Sequence, residues 1–134
     1  MKKHLWLGVL LVGCCGCGTI ANSVVPAAGP VPLQEQVTLG MTYPNVALVM
    51  NGSVVVGYEI DPATGASKPI TVQRLYSSEM LNIKDQAYKV DLYILRSPVT
   101  GAGVNEGELF PVVYKDGLVV AKGRDGLARI RLGK

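Results

Sequence analysis

Histidine is all but missing from this sequence: the single one, His4, stands at the fourth position. The rest of the chain therefore has no His-based acid–base catalyst, no Ser/His or Cys/His nucleophile pair and no His-ligated zinc. Cysteine is just as confined, with Cys14, Cys15 and Cys17 falling within four positions. From there no disulfide can staple a core. Formal charge is absent between His4 and Glu35. Aromatic residues make up only 6% of the chain, and charged residues 17% against 49% hydrophobic, which is too apolar for intrinsic disorder. Sixteen glycines and eight prolines favour turns over long helices. The formal charge of +3 falls to +1 once Lys2 and Lys3 are set aside, eleven cations then facing ten acids. That balance does not suit a nucleic-acid binder held by phosphate contacts.

The N-terminus has an organisation of its own. Lys2, Lys3 and His4 precede the apolar run Leu5–Val12, and small residues and cysteines follow. A basic start, about 7–15 apolar residues and a small-residue exit form a secretory signal. Leu11-Val12-Gly13-Cys14 resembles the lipobox of bacterial lipoproteins, which places lipidation at Cys14, with Cys17 as the alternative. A membrane-spanning anchor needs roughly 20 apolar residues, and this run weakens at the Gly/Cys cluster. Residues 1–17 are thus expected to be the lipoprotein signal and lipobox region. The resemblance implies a protein held to the membrane by its N-terminal lipid, in the bacterial envelope and on the outer membrane facing the periplasm.

Residues 18–34 read as a tether, because Pro26, Pro30 and Pro32 forbid a helix and favour extended backbone. An edge strand packed on the domain is the other reading. Residues 35–134, about 100 in all, are long enough to bury a core without disulfides. Thr42 reads as an N-cap with Pro44 in the first turn, and Val46, Val49 and Met50 form one apolar stripe ending before Gly52. Strands are predicted over 53–60, 70–81, 87–96, 109–115 and 118–122. Asp116-Gly117 is the strongest hairpin signal. Tyr88, Val90, Leu92 and Ile94 alternate with Lys89, Asp91 and Tyr93, as in a sheet with one buried face. The expected class is α+β, a short N-terminal helix packed on an antiparallel sheet of four to five strands.

Gly40, Met41, Thr42, Val46, Met50 and Gly52 carry a resemblance. In that order they resemble the opening of small envelope lipoproteins of the BamE type (the SmpA/OmlA family). After the helix this chain departs from that pattern, reading Asn51-Gly52-Ser53-Val54. The resemblance implies a non-catalytic factor in envelope assembly or integrity that acts through protein contacts, with no cofactor. A small binding or inhibitory module for a soluble periplasmic protein or ligand is the alternative, and neither reading fixes the partner or the oligomeric state.

Sites with chemistry are scarce. Glu106 and Glu108 are two apart, so a strand would turn both carboxylates to one side, but the surrounding glycines suit a solvated loop better than a substrate cleft. Asn105 to Glu108 lacks the alternating aspartates of a calcium loop. Ser77, Ser78, Glu79 and Lys84 match no hydrolase spacing, and Gly101-Ala102-Gly103 lacks the rest of a dinucleotide fingerprint. No catalytic residue, metal site or cofactor site is therefore expected. The last thirteen residues carry five cations against Asp125. They read as a charged edge strand, or as a contact for anionic headgroups.

Overall fold

Strand pairing is antiparallel throughout and follows chain order. The computed structural model describes residues 29–98 and 103–134. Its elements are α1 (Leu33–Gln36), α2 (Tyr43–Val49), β1 (Ser53–Ile60), β2 (Ser67–Gln73), β3 (Leu75–Ile83), β4 (Gln86–Tyr93), β5 (Phe110–Lys115), β6 (Leu118–Lys122) and α3 (Gly123–Arg131), with a 3₁₀ turn at Glu106–Glu108 before β5. Strands β3 to β6 form a four-stranded meander, and β1 pairs with β2 in a separate two-stranded ribbon. The class is α+β. The lipobox cysteines lie outside the described residues, as do Gly101 and Ala102. Turn α1 spans the expected junction of tether and domain.

Two features of the helix-on-sheet expectation are corrected. The longest helix among the described residues, α3, lies at the C-terminus, where a charged edge strand was expected. Glycine and arginine hid it. Gly126 is there because a Cβ would come within 3.2 Å of the Ala121 side chain, so α3 lies hard against β6. Arg129 and Arg131 sit in its last turn and Asp125 in its first, which matches the helix dipole at both ends.

The second correction concerns burial. Strand β4 was expected to bury one face, yet Val90 and Asp91 are both fully buried. Each face of the meander has its own cover. Val37, Val46 and Met50 pack with Tyr93, Val112, Tyr114 and Val119 on one side. Leu127 packs with Val90, Val113 and Ala121 on the other. A third cluster, Val54, Ile94 and Leu109, joins the ribbon to the sheet.

The strand predicted over 70–81 is two strands that meet at Arg74. The Arg74 amide donates to Gly52 O (3.1 Å), and its carbonyl accepts from the Ile94 amide (2.8 Å). Its guanidinium Nη1 donates to the carbonyls of Ile94 (3.1 Å) and Leu95 (2.8 Å). Asp116 and Gly117 (φ 52° and 78°) make the expected hairpin. Lys84 and Asp85 (φ 50° and 59°) make the same kind of turn without glycine, so no sequence signal announced it.

Candidate functional site

Period-two alternation on β4 sends Lys89, Asp91 and Tyr93 to the face covered by α2. The pairing register sets Ser78 opposite Asp91 and Tyr114 opposite Lys89. These residues build a polar cluster inside an apolar layer. The Ser78 hydroxyl donates to Asp91 Oδ1, and the Tyr93 hydroxyl donates to Oδ2 at 3.3 Å. Lys89 Nζ stands 3.5 Å from Oδ1 and 3.7 Å from the centre of the Tyr43 ring. Tyr43 meets Tyr114 edge to face, ring centres 5.2 Å apart. Only the Tyr114 hydroxyl has no hydrogen-bond partner among the buried side-chain atoms described.

The electrostatics keep protons in place. Burial pushes Tyr93 up to about 12 and lifts Tyr114 far above the usual phenol range. Burial pulls Lys89 down, but hydrogen bonding to Tyr43 and the charge of Asp91 outweigh it, and its value rises. Both phenols and the ammonium stay protonated at neutral pH, so none of the three serves as a base. Asp91 has no exposed surface. Its two neighbours, Ser78 on β3 and Lys89 on β4, stand between it and solvent.

The accessible feature lies elsewhere. On the ribbon, Tyr58 and Ile60 are 57% and 69% exposed, and Ile70 and Val72 are also exposed. Leu75, Tyr76 and Met80 continue the exposed apolar set along β3. At the ribbon's base a cleft of about 440 Å³ is lined by Val56, Val72, Leu75 and Tyr76, with Gln73 as a polar member. The pairing register sets Tyr58 and Ile60 on one face of the ribbon and Ile70 and Val72 on the other, and exposed apolar side chains gathered in this way on a small domain mark a contact element.

The residues singled out in the sequence scatter. Val46 and Met50 are buried in the core, and Met41 packs against it. Thr42 stands at the head of α2 with extended backbone, but its side chain makes no cap bond. Its backbone bridges to Leu118, and the Tyr43 amide donates to Gly117 O (2.9 Å), so the β5–β6 turn supplies the acceptor instead. Gly40 is required for its φ of 79°, not for close approach, since nothing lies within 4 Å of a Cβ there. Gly52 follows α2 at φ 116°.

Glu106 and Glu108 fall on the 3₁₀ turn, where residues two apart point about 120° away from each other. Glu106 borders a cleft of about 490 Å³ with Glu79, Arg124 and Arg131, and its backbone carbonyl accepts from Arg124. The Asn105 side chain accepts from the Gly107 amide (2.8 Å), a local turn bond. Ser78 serves Asp91, while Lys84 Nζ donates to Gly133 O (3.2 Å), so the two are not brought together. Among the described residues no three His, Cys, Asp or Glu gather as a metal site. The cluster around Asp91 was missed, and its one signal was an acid inside an otherwise apolar strand.

Fold and surface together define a small α+β domain with a closed polar interior and an open apolar ribbon. Compared with protein families, curated proteins and solved structures, the chain matches none.

Proposed function

We propose that the chain is a lipid-tethered, periplasm-facing domain of the bacterial envelope that works as a non-catalytic assembly or integrity factor, by binding another protein. The observation that carries this reading is the ribbon, which leaves apolar side chains exposed on both faces, Tyr58 and Ile60 on one and Ile70 and Val72 on the other. Aromatic and aliphatic anchors of this kind supply binding free energy at protein interfaces. The polar cluster, by contrast, has its carboxylate sealed away from substrate. The lipobox at Leu11–Cys14 and the BamE-like opening at Gly40–Thr42 support the same placement.

Two measurements test it. Metabolic labelling with a fatty acid should mark the wild-type chain and fail on a Cys14→Ala/Cys17→Ala variant; label retained in that variant refutes the anchor. The full chain, purified from detergent-solubilised membranes, should bring down outer-membrane assembly components, and Tyr58→Ser/Ile60→Ser should release them. Recovery of one soluble periplasmic protein instead favours a binding or inhibitory module, a reading that the cleft at the ribbon's base also suits.

A further inference from the structure

The N-terminal stretch joins the domain along β6. Lys122 Nζ donates to the carbonyls of Gln34 (2.9 Å) and Val37 (2.6 Å). The Gly40 amide donates to Val119 O (2.8 Å), and the Val119 amide donates back to Met41 O (2.9 Å). The segment that leads back to Cys14 and Cys17 is therefore stitched to this edge of the sheet.

Beside that edge, between β6 and α3, lies a shallow cleft of about 320 Å³. Leu39, Val120 and Ile130 line it, with Lys122, Arg129 and Lys134 around them. It holds three cations and no acid. Among the described residues none of the three pairs with a carboxylate. Leu39 is 66% exposed and Val120 38% exposed, so the apolar part is open to the outside. The concentration is local. Arg131, two residues from Arg129, pairs instead with Glu79 at 3.4 Å, and the chain from Gly29 onward has a net charge of only +1. Lys122 is held by the Gln34 and Val37 carbonyls, which leaves Arg129 and Lys134 as the cations beside exposed Leu39 and Val120, and exposed aliphatic side chains beside such cations are the pattern of surfaces that lie at a lipid headgroup layer.

We infer that the β6–α3 face rests on the anionic phospholipid surface to which the N-terminus is anchored. The inference builds on the lipid-tethered reading and adds the orientation of the domain. Two observations fix the occupant. The anchored segment is attached at this edge, and the charged side chains of the lining are all cationic. Stable membrane attachment takes two signals, and a cationic face reinforces an acyl anchor. Each cation brought to an anionic surface raises partitioning about fivefold, within a reach of about 8 Å at physiological salt.

The test uses the fragment Gly29–Lys134. It contains every residue of the three core clusters and lacks the candidate lipidation sites. It should sediment with phosphatidylcholine vesicles that contain phosphatidylglycerol, not with phosphatidylcholine alone, and salt should release it. Arg129→Gln/Lys134→Gln should weaken binding about 25-fold, the product of two such steps. Leu39→Ser, outside α3, should also weaken it, while Arg131→Gln and Lys68→Gln should leave it unchanged. Far-ultraviolet dichroism confirms that each variant is folded. The inference is overturned by no binding to the anionic vesicles at low salt, by equal binding to phosphatidylcholine, or by equal loss in Arg131→Gln. Release by soluble glycerol phosphate also overturns it, since that result marks a small-anion site. Fatty-acid labelling of the full chain is independent of all these outcomes, so the anchor can stand while the orientation fails.

Discussion

The ammonium of Lys89 stands 3.7 Å above the Tyr43 ring and 3.5 Å from the Asp91 carboxylate, so one cation bridges α2 and the interior of β4. Its side chain is about one-third exposed, whereas that of Asp91 has no exposure at all. The partly solvated ammonium thus supplies the counter-charge for the buried carboxylate. Lys89→Met should cost about 2–3 kcal/mol, because it leaves the Asp91 carboxylate with neutral donors alone. Tyr43→Leu should cost about 1–2 kcal/mol through the cation–π and edge-to-face contacts. Urea titration gives both values, and a Lys89→Met loss no larger than that of Tyr43→Leu contradicts the bridge.

Asp91→Ala should be among the most damaging single changes, at about 3–5 kcal/mol. It strands the Ser78 hydroxyl and the Lys89 ammonium together. Asp91→Asn keeps an acceptor for Ser78 and should cost less. A reversed order in thermal melts would remove the carboxylate from the centre of the network.

Alkali should unfold the domain in a defined window. Tyr93 titrates at about 12 when folded and at 10.0 when unfolded. Between those values the unfolded state binds fewer protons, so stability falls as pH rises; below pH 10 the contribution is fully present. Lys89 and Tyr114 are also raised, so they act with the same sign. Unfolding free energies from denaturant titrations should fall by about 2–3 kcal/mol between about pH 9 and about pH 12 from Tyr93 alone. Tyr93→Phe should flatten that step.

Met50→Ala should cost about 2–5 kcal/mol and Val46→Ala somewhat less, since both are buried against the sheet. Thr42→Ala should stay within about 0.5 kcal/mol, because no cap bond is lost. Glu106→Ala/Glu108→Ala should melt with the wild type. A collapse of that acidic variant would give the 3₁₀ turn a structural role that its exposure does not suggest.

Asp85→Gly should raise stability modestly, because Asp85 occupies left-handed backbone in the β3–β4 turn and glycine takes it without the Cβ clash. No gain in the melting temperature counts against that turn geometry.

Much of this fold was legible, and the exceptions have particular causes. Strands β1 and β6 and the stripe Val46–Met50 announce themselves by periodicity and turn chemistry, as does the Asp116-Gly117 hairpin. Helix α3 was hidden because it buries little beyond Leu127 and Ile130, while Gly123 and Gly126 read as breakers. The break at Arg74 was hidden because a bend held by a guanidinium on two distant carbonyls has no local signature. Pro111 is tolerated in β5 because pairing with β6 begins only at Val112. As for the site, apolar residues at 58, 60, 70 and 72 were read as strand, and only the three-dimensional arrangement leaves them uncovered. Asp91 looked like the polar half of an alternation whose second cover, across the sheet, no local pattern reveals.

Arg74 also has a mechanical meaning. The ribbon and the meander are joined in series at a residue whose amide grips one and whose carbonyl and guanidinium grip the other. A pull on the ribbon is therefore delivered to the Tyr93–Leu95 end of β4, the strand that also carries Asp91. The short lever works in shear, its fulcrum a single side chain. Cutting it back to alanine leaves the ribbon's apolar contacts with Ile94 and Leu109 but lowers its stiffness, so the same load would swing the ribbon through a wider arc.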